Sequence, residues 1–321
     1  MNGRLVSITG AGGFVGWHVA SAFRTAGWRV RGIVRRGRGR VLPDGVDRYE
    51  AGLVRGEMEA ACAGSNVVIH AAGLTRSADP RDFTRVNVEG TRAVVCGANA
   101  AGARMIFISS QAALGASSPG RETGEDDPPR PLNAYGRSKL AAEHAVRTEA
   151  RVPWTILRPA SVYGPRDRQF LPIFREAARG RFWLVGSAGM SLTLVHVRDL
   201  AAAVLLSAGT AASDGQALLI GHPQPATAAG VLQAIAGAVG RRYRPIAVPR
   251  LVVAAAALAG ELSWRFGYTP LVDRARFAEL SAGSFVCSVA RARTQLGFTA
   301  ATDLREGMAE TWQWYRAAGW A

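Results

Sequence analysis

The chain has few cysteines and a single lysine. Its three cysteines, Cys62, Cys96 and Cys287, are far apart in the 321-residue sequence and form no C-x-x-C pair. This usage supports neither a disulfide framework nor a zinc site, and it fits a reducing, cytoplasmic environment best. Lys139 is the only lysine among 39 basic residues, so every other basic position is an arginine.

Long hydrophobic runs are also missing. The segment Met1–Arg4 leads directly into the apolar Leu5–Ile8, and we therefore expect no signal peptide. The longest apolar helical run, Leu251 to Gly260, is too short to span a bilayer and ends at Glu261. We interpret this run as a buried helix or as the wall of an apolar pocket, and we expect at most peripheral membrane contact.

Acidic residues are few, with 24 against 39 basic ones and a net charge of +15. Such a charge raises the question of a nucleic-acid partner. However, the arginines are spread along the chain apart from residues 29–40, and no stripe of basic and aromatic residues is present. We therefore expect no nucleic-acid partner. We also expect no metal, because His, Asp and Cys do not cluster at ligand spacing.

Short apolar strands alternate with helical stretches over the first two thirds of the chain, which predicts a parallel sheet with helices on both faces. The predicted strands are 5–9, 29–34, 67–70, 105–109, 155–158, 193–197 and 218–221, and the predicted helices are 14–26, 82–101, 134–149, 198–208 and 227–239. We predict a doubly wound α/β dinucleotide-binding domain over 1–165, to which 193–222 returns. A smaller, discontinuous, mainly helical substrate domain would comprise 166–192 and 223–321.

A glycine-rich turn follows the first predicted strand, with Gly10, Gly13 and Gly16 in a G-x-x-G-x-x-G spacing. A dinucleotide pyrophosphate requires a tight turn, close backbone approach and a helix N-terminus aimed at it. Because the turn stands between a strand and a helix, we predict that it binds such a cofactor, with Phe14 and Val15 in its first helical turn. The alternative is a tight turn without a ligand.

The second predicted strand ends in Arg35 and Arg36, where an NAD enzyme presents an acid to the ribose hydroxyls. The first acid after them is Asp44. Two guanidiniums can bind a 2′-phosphate through bidentate bonds, which predicts NADP(H), with NAD(H) as the alternative. A solvated basic loop is the structural explanation of the same residues.

Tyr135 and Lys139 stand four residues apart on a predicted helix and therefore share one face. A nearby ammonium favours the phenolate, and so we expect it to lower the pKa of Tyr135 and make this phenol an acid or base near neutrality. Lysine supplies a compact charge with an adjustable pKa, which explains a lysine at this one position of an arginine-rich chain. The alternative is a surface tyrosine and lysine without a role.

These motifs together resemble the extended short-chain dehydrogenase/reductase family. The resemblance rests on the glycine turn, on Tyr135-x-x-x-Lys139, on the segment Asn87–Thr91 and on Leu157–Pro165, and it covers about residues 1–210. It implies that Ser110 hydrogen-bonds the reacting oxygen, that Tyr135 exchanges a proton with it, and that Lys139 also binds the nicotinamide ribose.

The resemblance also implies further cofactor contacts. The residues concerned are Ala71, Ala72 and Gly73 along the cofactor, Leu53 near the adenine, and Pro159 and Val162 near the carboxamide. Gly52 replaces an aspartate that commonly precedes Leu53, so a side-chain contact to adenine is in doubt. Asn87 is expected to orient backbone and water, and a homodimer is implied through helices that include 134–149.

Two departures from the family bear on the substrate. The site serine is followed by Gln111 and Ala112 instead of the Asp-Glu pair that dehydratases use. Leu192 stands four residues before His196, where members that act on nucleotide sugars tend to carry an arginine for the diphosphate. Together with the apolar run 251–260, these residues favour a bulky, largely apolar substrate, as in the hydroxysteroid-dehydrogenase and dihydroflavonol-reductase branches. His70 and His196 are interpreted as structural.

We therefore predict an NADP(H)-dependent oxidoreductase that interconverts a ketone and a secondary alcohol on a small-molecule substrate. A nucleotide-sugar epimerase is the first alternative, and a pair of arginines from 166–190 lining the cleft would favour it. The candidates are Arg166, Arg168, Arg175, Arg179 and Arg181. A non-catalytic NADP-sensing protein is the second alternative, but such a protein would tolerate the loss of Tyr135 or Lys139.

Overall fold

The structure is a computed structural model that describes residues 3–37, 39, 41–118, 120–264, 270 and 272–321. Its strands are β1 (Leu5–Thr9), β2 (Arg29–Val34), β3 (Asp47–Glu50), β4 (Val67–His70), β5 (Arg104–Ile108), β6 (Trp154–Pro159), β7 (Ser161–Tyr163), β8 (Phe182–Val185), β9 (Ser191–Leu192), β10 (Leu194–His196), β11 (Gln216–Ile220), β12 (Ala226–Thr227) and β13 (Pro245–Val248). Its helices are α1 (Phe14–Thr25), α2 (Arg55–Cys62), α3 (Pro80–Phe83), α4 (Gly90–Ala101), α5 (Ala134–Glu149), α6 (Leu171–Ala178), α7 (Val197–Gly209), α8 (Ala228–Ala238), α9 (Arg250–Trp264), α10 (Arg274–Ser281), α11 (Ala290–Leu296) and α12 (Leu304–Ala317).

Seven strands form one parallel sheet in the order β11-β6-β5-β4-β1-β2-β3. The central strands are apolar and buried, because helices cover both faces of a parallel sheet. Ile8 of β1 lies between Gly32 of β2 and Ile69 of β4, so the strand order reverses around β1. The carboxyl ends of β1 and β4 thus flank the crevice in which doubly wound sheets bind ligands. The predicted fold class is confirmed.

The two faces of the sheet have separate cores. Helices α1, α7 and α11 cover one face, with Phe23, Leu200 and Leu296 among the buried side chains. Helices α2, α4 and α5 cover the other face, where Met58 and Val146 are buried. Since Leu296 belongs to the segment assigned to the substrate domain but packs under the main sheet, the division into domains stays a prediction.

A third cluster lies outside the main sheet and joins α6, β8, α8 and α12. Phe174 and Tyr315 are fully buried in it, and the ring of Trp312 stacks on Phe174 at a centroid distance of 5.9 Å. The aromatic residues of the last helix therefore serve packing in this part of the molecule.

The helix predicted over 82–101 is divided in the structure. Residues Pro80–Phe83 form α3, Thr84–Glu89 form a π-helical turn, and α4 starts at Gly90. π-Helical turns are rare and often occur at functional sites. This one carries the buried Asn87, whose contacts shape the site described below.

The prediction of a buried helix or pocket wall over 251–260 is wrong. Residues 250–264 do form the helix α9, but only one face packs against the protein, through Val253, Ala257 and Gly260. The apolar residues between them face outward, and Leu251 is 84% exposed. Among the described residues, no helix has the length and apolarity needed to cross a bilayer.

Candidate active site

Helix α5 presents Tyr135 in its first turn because Asn133 caps the helix directly before it. The Asn133 side chain accepts a hydrogen bond from the Gly136 amide at 2.9 Å. A Cβ at Gly136 would lie 2.4 Å from the carbonyl oxygen of Ala112, so glycine allows α5 to pack against the turn that follows β5. This close approach brings Tyr135 to Ser110.

Three consecutive residues at the end of β5 contact three residues that are spaced one turn apart on α5. The pairs are Ser110 with Tyr135, Ile108 with Lys139, and Ser109 with Glu143. In the first pair, the Ser110 hydroxyl lowers the pKa of the Tyr135 phenol. In the second, the ammonium donates to the backbone carbonyl at 2.7 Å, and in the third, the serine hydroxyl donates to the carboxylate at 2.6 Å. We call Tyr135, Lys139 and Glu143 the α5 ladder. Its spacing fixes the three side chains against one strand end.

Lys139 is 4% exposed, and its Nζ lies 4.3 Å from the centroid of the Phe107 ring. Burial lowers its pKa to about 7, while the nearby Glu143 carboxylate raises it. Burial in this case opposes the charged form and the carboxylate favours it. The ammonium therefore titrates near neutrality, where a small change in its surroundings changes its charge.

The expected lowering of the Tyr135 pKa is wrong for this structure. Burial raises the pKa of Tyr135, the carboxylate of Glu279 raises it further, and only the hydrogen bond with Ser110 lowers it. The ammonium of Lys139 is directed instead at the carbonyl of Ile108. Tyr135 also packs against Phe83, at a ring-centroid distance of 6.3 Å. The phenol is thus held in its protonated form near neutrality.

Glu143 and Arg158 form a buried ion pair that the sequence did not predict. Their side chains are 1% and 5% exposed, and the shortest of their contacts is 2.6 Å. Arg158 also donates to the backbone carbonyl of Glu125 at 3.2 Å. The one signal in the sequence was a glutamate one helical turn beyond Lys139 on the same face. Its partner on β6 follows only from the fold.

The glycine turn has the geometry that a dinucleotide requires. Gly10 has φ of +72°, and a Cβ there would lie 2.7 Å from the Ala72 amide nitrogen. A Cβ at Gly16 would lie 2.2 Å from the carbonyl oxygen of Gly10. Gly13 is the N-cap of α1 and offers no side chain to its first turn, which also contains no acidic residue. The amides at this helix N-terminus therefore suit a pyrophosphate.

The loop after β4 connects the glycine turn with Lys139. A Cβ at Gly73 would lie 3.4 Å from Oδ1 of Asn87 and 3.9 Å from Nζ of Lys139. Asn87 holds this loop, because it accepts from the Leu74 amide at 2.7 Å and donates to the Leu74 carbonyl at 2.9 Å. Ala71, Ala72 and Gly73 thus lie between Gly10 and Lys139, and their contact with a dinucleotide stays a prediction.

Arg35 and Arg36 lie exposed after β2, next to the glycine turn, since the Gly10 amide donates to the Ile33 carbonyl at 3.1 Å. Arg36 forms a two-point ion pair with Glu57, with both distances 3.0 Å. Glu57 also accepts from the Gly52 amide at 2.6 Å. The sequence did not indicate that this acid lies beside Arg36, because it comes from α2 and not from the end of β2.

The remaining predicted cofactor contacts lie on neighbouring segments. Leu53 packs near Gly90 at the start of α4, where an added Cβ would meet it at 2.9 Å. Pro159 ends β6 at the carboxyl edge of the sheet, and Val162 of β7 pairs with Val195 of β10. These positions are compatible with the predicted contacts, which stay predictions.

Both histidines of interest are buried, and their structural role stays an interpretation. His70 is fully buried between the hydroxyls of Thr9 and Thr91, at 2.7 and 3.0 Å, and burial lowers its pKa to about 3. His196 accepts from the Arg198 amide at 3.4 Å, and burial lowers its pKa to about 4. Both rings are therefore neutral near pH 7. No group of residues that could hold a metal ion occurs in the part of the chain that the structure describes.

Leu192 and the five arginines of 166–190, which bear on the choice between an apolar substrate and a nucleotide sugar, all contact other parts of the protein. Leu192 packs against the third cluster. The five candidate arginines contact tryptophans or Glu176: Arg166 lies over Trp17 at 4.6 Å and Arg168 over Trp320 at 4.7 Å, while Arg175 donates to the Trp320 carbonyl and Arg179 and Arg181 pair with Glu176. The described contacts of these arginines therefore give no support for a diphosphate site.

Comparison with known proteins agrees with this geometry. The model of the NAD dependent epimerase/dehydratase family matches residues 6–221. The chain belongs to this family. It is accordingly a nicotinamide-dependent dehydrogenase or reductase that acts on CH–OH or C=O groups. Membership in the extended short-chain dehydrogenase/reductase group, predicted from the motifs, is confirmed.

Individual relatives span the whole chain. Ceramide reductase of Caulobacter vibrioides is 33% identical over 98% of this chain and 96% of its own length. A ketoreductase of Stigmatella aurantiaca, named for a 4-hydroxy-2-methyl-3-oxo-4-farnesyl-3,4-dihydroquinoline-1-oxide, is 28% identical over 94% of this chain and 93% of its own. The solved structure of MoeE5 in complex with UDP-glucuronic acid and NAD superposes with a TM-score of 0.78 at 27% identity, covering 98% and 99% of the two chains.

Proposed function

We propose that this protein is an NADP(H)-dependent oxidoreductase that interconverts a ketone and a secondary alcohol on a bulky, largely apolar substrate. The observation that carries the proposal is the geometry of Ser110, Tyr135 and Lys139. The Ser110 hydroxyl lowers the pKa of the Tyr135 phenol, and the ammonium lies one helical turn away beside Gly73. This arrangement stands at the crevice that the glycine turn and the loop after β4 enclose.

The proposed chemistry divides between cofactor and protein. A bound nicotinamide supplies or accepts the hydride. Ser110 holds the substrate oxygen by a hydrogen bond, and Tyr135 moves the proton to or from that oxygen. Lys139 places a titratable positive charge beside the site. The pKa of Tyr135 is raised by burial, so the phenol is protonated at neutral pH, which is the form that reduction of a ketone requires.

The preference for an apolar substrate rests on two supports. Ceramide reductase and the farnesyl-dihydroquinoline ketoreductase are named for large apolar substrates, and this chain aligns with both over nearly its whole length. Leu192 also stands where nucleotide-sugar enzymes tend to carry an arginine. The homodimer through helices that include α5, and the cytoplasmic location, stay predictions.

The preference for NADP(H) rests on Arg35 and Arg36. Their position beside the glycine turn suits a 2′-phosphate, and a charge-assisted bond of this kind contributes about 1.5–3 kcal/mol. Glu57 competes for Arg36, so Arg36 must share or leave its ion pair to contact a phosphate. Arg35 is accordingly expected to contribute more to discrimination than Arg36.

The epimerase alternative is supported by the likeness to MoeE5 with its bound UDP-glucuronic acid and NAD. A thermal-shift screen separates the two activities, with apolar ketones and alcohols in one set and UDP- and dTDP-sugars in the other. Turnover of the same panel is followed at the nicotinamide absorbance with NADPH and NADP⁺. We expect turnover or stabilisation only in the apolar set. Clear stabilisation by a nucleotide sugar would support the epimerase. If the wild-type protein binds NADPH but turns over no compound of either set, the result would support a sensor.

A further inference from the structure

Helix α9 is apolar on its outer face. Leu251, Ala255, Leu258 and Leu262 follow one another at intervals of four, three and four residues, and so they share one side of the helix. The three leucines are 84%, 58% and 53% exposed. We call these four residues the α9 face. A surface helix of a globular protein normally places charged or polar residues there.

The inner face of α9 is packed and accounts for the position of the helix without the outer leucines. Val253, Ala257 and Gly260 are buried, and a Cβ at Gly260 would lie 2.0 Å from the carbonyl oxygen of Val272. The helix is therefore fixed closely against the segment before α10. Single exposed leucines are ordinary, but a row of them along one helix marks an interaction surface.

The segment that leads into α9 is basic. Residues 215–260 contain no aspartate or glutamate but four arginines, and these arginines are all exposed: Arg241, Arg242, Arg244 and Arg250. Between Arg244 and Arg250 in the sequence, Ile246 of β13 pairs with Trp183 of β8, and both side chains are more than 40% exposed. The nearest acid on the helix, Glu261, accepts a hydrogen bond from the Arg274 amide.

Exposed apolar residues that follow directly on an arginine-bearing segment match the chemistry of an anionic lipid surface. A bilayer offers hydrocarbon to the leucines and phosphate to the guanidiniums at the same depth. A second copy of this chain fits less well, because a two-fold contact through the α9 face would bring the same arginines of both copies together. Charge complementarity therefore favours the bilayer.

We propose that the α9 face docks this protein peripherally onto anionic lipid bilayers, with Arg242, Arg244 and Arg250 at the headgroups. The docking surface is joined to the candidate site through α10. Glu279 of α10 accepts from the Asn133 side chain at 2.7 Å, and Asn133 caps the helix that carries Tyr135. The docked protein would thus hold its crevice close to the membrane. Binding of the α9 face to a bilayer requires neither a particular substrate nor turnover.

Vesicle flotation of the purified full-length protein tests this proposal. Vesicles of phosphatidylcholine mixed with phosphatidylglycerol should carry the protein, vesicles of pure phosphatidylcholine should carry much less, and added salt should weaken the binding. The double variant Leu251→Glu, Leu258→Glu should bind the anionic vesicles at least about tenfold more weakly. Leu206→Glu is the matched control, because Leu206 is 40% exposed on α7 and should leave binding unchanged.

Both variants replace exposed side chains, and an unchanged melting temperature verifies that each is folded. Absence of wild-type binding to the anionic vesicles would overturn the proposal, as would undiminished binding of the double variant. Light scattering without lipid supplies a third result. If the double variant changes a wild-type dimer into a monomer while vesicle binding is absent, the α9 face belongs to a second copy and the proposal is wrong.

Discussion

Replacement of Lys139 by methionine is expected to make the protein more stable near pH 7 and less active. Methionine has a similar length and no charge, and it can occupy the site against Phe107 without the ammonium. The wild-type lysine is 4% exposed, and burial holds its pKa at about 7 against an ordinary value of 10.5. The charged form is therefore unfavourable in the folded protein.

The magnitude follows from this difference in pKa. The unfolded chain keeps the proton up to a pH near 10.5, while the folded chain releases it near 7, so the free energy of unfolding rises with pH between these values. At pH 7 the unfavourable contribution is about 4 kcal/mol, at 1.36 kcal/mol per unit of pKa difference. Methionine removes it but leaves the carbonyl of Ile108 without its donor, which costs about 1–3 kcal/mol. A net gain of about 1–3 kcal/mol remains.

Urea unfolding followed by tryptophan fluorescence measures this gain. The Lys139→Met variant should be more stable than the wild type near pH 7. The two should become equal as pH rises, and the variant should be the less stable one near pH 10.5, where the wild-type lysine is neutral in the folded protein and half-protonated in the unfolded chain. NMR of protein labelled at the lysine ε-carbon gives a direct check, because Lys139 is the only lysine and yields a single resonance.

A constant stability difference across this pH range would refute the reasoning, because an ammonium with an ordinary pKa contributes no pH dependence there. A lysine resonance that titrates near pH 10 would refute it independently. Turnover provides the functional half of the prediction. Loss of activity together with a gain in stability would identify Lys139 as a residue kept for function at the expense of the folded state.

Three further changes test neighbouring parts of the site. Tyr135→Phe should lower turnover by ~10²–10⁴-fold with NADPH affinity nearly unchanged, as measured by steady-state kinetics and cofactor fluorescence. Glu143→Gln leaves a buried guanidinium without its charge partner, so unfolding experiments should show a loss of roughly 3–5 kcal/mol, and the NMR titration should move to lower pH. Arg35→Ala should reduce the preference for NADPH over NADH about tenfold or more. Glu57→Gln should increase this preference, because it releases Arg36 from its ion pair. Equal affinity of the wild type for both cofactors would contradict the NADP(H) proposal.

Most strands of the main sheet could be predicted from the sequence because each is recognisable from its own residues. The residues of β1 and β4 are continuous apolar runs, since both faces of these strands are covered. The strand β3 was missed for the opposite reason. Its residues Asp47–Glu50 are polar and mostly exposed at the edge of the sheet, where pairing with β2 leaves no pattern in the sequence.

The sequence predicted only that part of the candidate site that follows from residue spacing along a helix. The four-residue interval between Tyr135 and Lys139 placed both side chains on one helix face. The direction of the Tyr135 pKa shift was not accessible, because it depends on burial and on Glu279, which arrives from α10 near the other end of the chain. The ion pair between Glu57 and Arg36 was missed for the same reason.

The apolar run at 251–260 shows where composition misleads. The run correctly predicts a helix. Because apolar residues occur on all sides of that helix, however, the sequence does not show which side packs against the protein. Tertiary contacts decide this, and here the close approach of Gly260 to Val272 selects the inner face and leaves the leucines outside. The same sequence feature therefore changes from a presumed pocket wall to an interaction surface.

Tertiary contacts also explain why position 139 is a lysine and not an arginine. A guanidinium remains charged at any pH a protein meets, so an arginine at this position would be a permanent buried cation. A lysine can lose its proton, and burial brings that loss near neutrality. Glu143 acts in the opposite direction and is itself held by a buried ion pair. A chain that otherwise uses arginine throughout thus retains lysine at the one position where the charge must be both buried and adjustable.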